Sequence, residues 1–288
     1  MPRFEPRFFP GTKVSEWATV THPGKTISSN PGAKWGATGT YSLDDYTISS
    51  TPYTSVTFTD SGTFVVNVSS LVVDFMVVAG GGVGMYAGGG AGGLRTASQT
   101  LSAGTYTVTV GAGGSGNSNA GGNDGSGSSF AGSSTISCTG GGGGANSFGG
   151  SPDQDGNDGG SGGGAYGYSM DGGSGNAGSY SPAEGTDGGD ATDGGRGGGG
   201  GGAGQAGYAS INGSSTRGDG GDGVQNSYRT NSNVYYASGG GGYFNASWQT
   251  SGSTGSADWG THCTANTGDG SSSGNGGSGI VVLRFPTP

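Results

Sequence analysis

Charge, cysteine and apolar residues are all scarce in this sequence, and each scarcity closes off a class of protein. Asp, Glu, Lys and Arg together make up 10% of the 288 residues, and hydrophobic residues 29%. Disordered chains usually pair low hydrophobicity with high charge; this one has the first trait without the second. No stretch approaches the ~18 consecutive apolar residues of a transmembrane helix, so no membrane insertion is expected. The opening MPRFEPRFFPGTKVSEW lacks the apolar core of a signal peptide, and none is expected. Cys138 and Cys263 could bridge, but two cysteines set no disulfide framework. The two histidines, His22 and His262, fit no Ser-His-Asp spacing, and His262 beside Cys263 is a neighbour in sequence, whereas a Cys-His nucleophile needs convergence in space. Matches to G-x-G-x-x-G arise by chance in so glycine-rich a chain, and no Lys follows as in a phosphate-binding loop. The chain is therefore expected to be no enzyme and to need no cofactor.

What is abundant is glycine, 74 residues of 288, against an ordinary share of roughly 7%. Collagen is excluded, because there is no strict G-X-Y register and only 10 prolines are present. The net charge of −9 comes largely from the glycine-rich part: Gly80 to Gly279 holds 13 acidic and 4 basic residues. A nucleic-acid partner is not expected for such a surface.

The chain divides by composition. Residues 1–54 carry six prolines, Trp17 and Trp35, and no helical period; they are expected to form an irregular or β-rich head, or an arm that attaches the chain to a partner. In SVTFTDSGTFVVNVSSLVVDFMVVA (55–79), alternation and β-branched residues predict strands near 55–59, 62–68 and 71–79, with Asp60-Ser61-Gly62 as a turn. Tyr106, Val108 and Val110 alternate with threonines in another strand, and Ile280 to Phe285 read as a closing one. The expected divisions are a β-rich framing domain at 55–115, a glycine-rich bundle at 116–279 and a closing strand within 280–288.

Between the strand near Tyr106–Val110 and the closing strand, glycine blocks near 111–127, 139–150, 156–164, 194–207, 218–223, 238–242 and 268–279 alternate with segments rich in aromatic and polar residues. Polyglycine can adopt the polyproline-II helix, which lacks internal hydrogen bonds. Such helices packed side by side pair their N–H and C=O groups with one another, and only glycine lets backbones come so close. The expected fold is thus mainly β and irregular, a small β-sheet framing a polyglycine-II-like bundle, with essentially no α-helix. Ser, Asn, Asp or Ala within a run is expected to face outward, and in GGRGGGGGGAGQAGY (194–208) Arg196, Gln205 and Tyr208 are expected to face outward or turn the chain.

Three separated blocks, VVDFMVVAGGG (72–82), GGLRTASQTLSAGTYTVTVGAGG (92–114) and GGSGIVVLRF (276–285), follow one another in an order that resembles the glycine-rich domain of bacteriophage tail fibres and related virion adhesins. The resemblance spans about 55–288. It implies polyglycine-II bundles, a place on the virion, and distal loops that choose the host receptor. The implied function is a tail fibre or tail-fibre-tip adhesin; the alternative is a capsid or tail decoration fibre with a purely structural role. Implied partners are other virion proteins through residues 1–54 and a host surface polysaccharide or outer-membrane protein, with a homotrimer as a candidate assembly.

Tyr and Trp give large contact areas at small entropic cost and favour binding hot spots. The recognition candidates are therefore Tyr166, Tyr168, Tyr228, Arg229, Asn233, Tyr235, Tyr236, Tyr243, Phe244, Trp248 and Trp259, with mutual packing of the rings as the competing use. Asp153, Asp155 and Asp158, with Asn157, offer oxygen ligands at spacings a calcium loop uses but lack its distal Glu; a solvated acidic turn is the expected reading.

Overall fold

The computed structural model describes residues 33–116, 122–145, 154–192, 196–210, 218–244, 247–248 and 263–287. No helix occurs among them, and the strands pair antiparallel in several sheets. One five-stranded sheet has the order β2 (Tyr41–Ile48), β3 (Thr51–Phe58), β14 (Ile280–Pro286), β5 (Leu71–Val78), β6 (Leu94–Leu101). The other runs β1 (Trp35–Thr38), β4 (Gly62–Val66), β7 (Gly104–Thr109), β8 (Ser128–Ala131), β9 (Thr135–Cys138). Between the sheets lie Val56, Phe58, Phe64, Phe75, Val108, Phe130 and Phe285, all buried.

The expected closing strand is present: β14 lies between β3 and β5 and pairs with both. This central place explains why LVVDFMVV and IVVLRF do not alternate, since strands buried on both faces need not; the charges that interrupt them, Asp74 and Arg284, face each other across the β5–β14 pairing. Val73, Phe75 and Val77 face the other sheet, while Met76 and Val78 join Ile280, Val282, Ala91 and Tyr236 on the opposite face. The division expected at residue 54 falls inside β3. Residues 35–54 belong to the sheets, with β2 on an outer edge.

Chain leaving the sheets runs outward and returns. Residues 79–83 extend β5, and 90–93 lead back into β6; Ala79 and Gly82 donate N–H bonds to Gly93 and Gly90, and the turn between carries Tyr86. The glycine segments bond to one another in a regular way. Gly197, Gly200 and Ala203 donate to Tyr243, Gly240 and Ala237; Gly198 and Gly201 donate to Ala165 and Gly162; Gly199 and Gly202 donate to Tyr208 and Gln205. Three successive N–H groups thus reach three different neighbours, and every third returns to the same one. Gly88 and Ala91 repeat the pattern in parallel with Gly198 and Gly201, and Gly89 and Gly92 repeat it antiparallel with Ser271 and Gly268. A Cβ placed on Gly88 would lie 1.8 Å from the Gly240 carbonyl oxygen, so the side-chain hydrogen itself is what the packing requires.

The outward placement expected for small residues within the runs holds for Asp124, Asp155 and Asp158 and fails for others. Ala87, Ala91, Ala165, Ala191, Ser161, Ser271, Ser272 and Asp269 are buried. Several of these take over the acceptor role of a carbonyl: Ser271 Oγ accepts the Gly84 N–H at 2.9 Å, Ser272 Oγ the Gly241 N–H at 2.9 Å and Asp269 Oδ1 the Ser238 N–H at 2.7 Å. Gln205 does turn the chain, and Tyr208 is partly exposed.

Candidate functional site

The aromatic residues singled out in the sequence separate into two groups, one at each end of the glycine segments. At the end away from the sheets, the Tyr166 ring lies 5.0 Å from that of Tyr86, and the Tyr243 ring lies 5.8 Å from Tyr86 on its edge. Backbone bonds hold the group: Tyr243 N–H donates to Tyr86 O at 2.9 Å, and Tyr86 N–H donates to Ala145 O at 3.3 Å. Tyr168, two residues beyond Tyr166, is 64% exposed. Phe244 and Trp248 lie on a short hairpin of β12 (Tyr243–Phe244) and β13 (Ser247–Trp248) at the same end. Trp259 and Asp153 lie outside the described residues, as do both histidines. Tyr86 escaped the sequence reading because GMYAGG flanks it with glycine and leaves no aromatic segment to notice.

The other group sits against the sheets. The strands β10 (Val224–Asn226) and β11 (Val234–Tyr236) form a hairpin that carries Tyr228, Arg229, Asn233, Tyr235 and Tyr236. Tyr46 of β2 donates its hydroxyl to Tyr228 O at 2.6 Å. The Arg284 guanidinium lies 3.9 Å from the Tyr228 ring centre while its Nε contacts Asp74 Oδ2 at 3.3 Å. Tyr236 is 1% exposed among Met76, Val78, Ile280 and Val282. Burial pushes its phenol pKa up, and the neighbouring Arg229 opposes that rise. Tyr166 and Tyr236 were expected in recognition loops; both are buried instead, because each supplies apolar surface to a cluster otherwise built from alanine or small aliphatic groups. Asn233 is exposed and donates to Gln225 Oε1 at 3.2 Å.

A family model described as a glycine-rich domain matches residues 57–286. The chain belongs to the glycine-rich domain family. No curated protein and no solved structure matches it at a significant level. The matched stretch opens inside β3, so the sheets of this glycine-rich domain recruit β1 and β2 from outside it.

In the glycine-rich domain, Asp155 and Asp158, two of the aspartates weighed as calcium ligands, line an open depression of about 540 Å³ with Asp124, Asn157 and Asp171. Their oxygens serve the backbone: Asp155 Oδ1 accepts the Asp171 N–H at 2.9 Å, and Asp158 Oδ1 the Ser174 N–H at 2.6 Å. No group of three or more His, Cys, Asp or Glu able to hold a metal occurs among the described residues. Cys138 and Cys263 are both buried and unpaired with each other, and burial raises the Cys138 thiol pKa.

Asp269 is fully buried, and burial lifts its carboxyl from 3.8 to about 6, against the pull of hydrogen bonding from Thr267 and Ser238. A carboxyl whose pKa is raised by folding stabilises the fold fully below its unfolded pKa and loses that contribution as pH rises through its folded pKa. The glycine-rich domain should therefore lose this increment between about pH 4 and pH 7. Asp269→Asn keeps an oxygen for the Ser238 N–H and removes the titration. The stability of the variant relative to the unaltered chain should rise as pH goes from 5 to 7.5, by roughly 1 kcal/mol, because this range spans about one unit of the displacement; calorimetry across this range checks it.

Proposed function

We propose that the chain is a bacteriophage virion protein, in a tail fibre or at its tip, that binds a host-cell surface receptor without catalysis. Its glycine segments are read as polyglycine-II rods. The polyproline-II helix has three residues per turn, and the return of Gly197, Gly200 and Ala203 to a single neighbour has that period. Of residues 1–54, the part ahead of β1 is assigned to attachment on the particle, since β1 and β2 belong to the sheets.

The observation that carries the functional reading is the tyrosine group at the rod ends remote from the sheets, with Tyr168 64% exposed beyond it. Rods cross-linked by hydrogen bonds give such rings a stiff support, and exposed tyrosine stacks on sugar faces or fills pockets in a protein receptor. A host polysaccharide or outer-membrane protein fits this chemistry. The alternative, a decoration fibre with a structural role, draws support from the burial of Tyr166 and Tyr236, which gives those rings packing work.

Competition separates the two. Purified protein at saturating concentration should block adsorption of the phage to its host, and unchanged adsorption removes the adhesin reading in favour of the decoration fibre. Tyr168→Ala should weaken that block while leaving stability within about 1 kcal/mol of the unaltered chain, as surface substitutions generally do. Blocking assays and thermal melts on the same preparation measure both.

A further inference from the structure

The segment Asp171–Asn176 shows how the glycine lattice ends sideways. Gly173 and Asn176 donate their N–H groups inward, to Gly163 O at 2.8 Å and Gly160 O at 2.9 Å. The four other N–H groups of 171–175 meet carboxylates instead of a further backbone. Asp171 and Ser174 donate to Asp155 Oδ1 and Asp158 Oδ1 at 2.9 and 2.6 Å. Gly172 and Gly175 donate to Asp190 Oδ1 and Asp187 Oδ1 at 2.9 and 2.7 Å. Each pair of aspartates is spaced by three residues, the interval at which a segment returns to the same neighbour, so one pair serves one flank of 171–176 and the other pair its opposite flank. Asp124 does the same elsewhere, accepting the Gly143 N–H at 2.8 Å.

Unpaired N–H groups along a backbone edge are a template for another chain, and sheets protect such edges with charge or cover. A lattice that pairs through every third N–H has the same exposure along its flank. We infer that Asp155, Asp158, Asp187 and Asp190 seal this flank against a glycine segment of a second copy of the chain. The carboxylate oxygens take the place that a neighbouring carbonyl row would hold, and their charge faces solvent. This gives the acidic excess of the glycine-rich part a structural use, and it does not depend on the receptor-binding reading.

The test replaces all four aspartates with alanine in the full chain and, in parallel, with asparagine. Alanine bares the N–H groups of Asp171, Gly172, Ser174 and Gly175, where those backbone positions persist; asparagine removes the same charge and keeps an acceptor oxygen. In sedimentation velocity over a hundredfold concentration range, the alanine variant should form larger species that the unaltered chain does not, and hydrogen exchange at residues 171–175 should quicken at low concentration. The asparagine variant should sediment as the unaltered chain does. A folded alanine variant that sediments unchanged overturns the inference. So does an asparagine variant that associates equally, since charge alone would then have kept the copies apart. If the fourfold alanine variant fails to fold, Asp187→Ala/Asp190→Ala, which bares only Gly172 and Gly175, decides by the same two outcomes.

Discussion

Gly200→Ala should lower the stability of the protein sharply, while Gly104→Ala should leave it intact. A Cβ at Gly200 would lie 2.0 Å from the carbonyl oxygen of Gly89. The obstacle is backbone held on both sides: Gly200 donates to Gly240, and Gly240 donates to Gly89. Overpacking of a core usually costs about 1–3 kcal/mol because side chains can shift; here hydrogen-bonded main chain must shift, with each strained bond worth about 1 kcal/mol more. The expected loss is at least about 3 kcal/mol, or a fall in Tm on the order of 10 °C. At Gly104 the nearest atom to a new Cβ is 3.7 Å away, on the Tyr106 side chain. Alanine there also restricts the unfolded chain, so the change should be neutral or slightly favourable. Melting curves of the two variants form the test. Equal Tm values for both would show that the glycine segments do not pack as described.

Tyr236→Ala should be nearly as damaging, at roughly 3–5 kcal/mol, the usual cost of emptying a buried aromatic site. The ring is enclosed by Met76, Val78, Ile280 and Val282, and it fastens the hairpin β10–β11 to the outer face of the sheet. Comparison with Tyr168→Ala is the informative measurement. Loss of adsorption blocking in the Tyr236 variant should track its loss of folded protein, measured by denaturant titration. Equal stability of the two alanine variants would return Tyr236 to the surface role that its neighbours Tyr235 and Asn233 suggest in the sequence.

The strands at 62–66, 71–78 and 280–286 were legible because β-branched and aromatic runs are what buried strands require. The strand Tyr41–Ile48 was not. As an edge strand it pairs on one side alone, and YSLDDYTI carries two aspartates in place of an apolar run. The glycine blocks announced close backbone approach, yet identical residues carry no register, so nothing in 197–202 says that Gly200 meets Gly240 while Gly201 meets Gly162. The aromatic residues were legible as a set and not as two groups. VQN and VYY around a TNSN turn do spell a hairpin, but its docking on the sheets depends on Tyr46 and Arg284, far away in the chain. Serine and aspartate inside the runs misled for a related reason: a short side chain with an acceptor oxygen can replace a carbonyl, and polarity alone does not tell that use from exposure.

The place of β14 at the centre of its sheet bears on how the protein is made. Both β3 and β5 leave the ribosome with the edge that will hold β14 open, and those edges stay open while some two hundred residues of glycine-rich chain are translated after Val78. Translation adds roughly 5–20 residues each second, so the wait is on the order of ten seconds or longer, with one edge of each of these apolar strands unpaired throughout. The sparse charge and apolar content of the intervening segment leave little there for those edges to seize. Folding of the sandwich is therefore a step taken after residue 286 has emerged, and premature termination within the glycine blocks should yield a chain that proteases remove rather than a shorter folded protein.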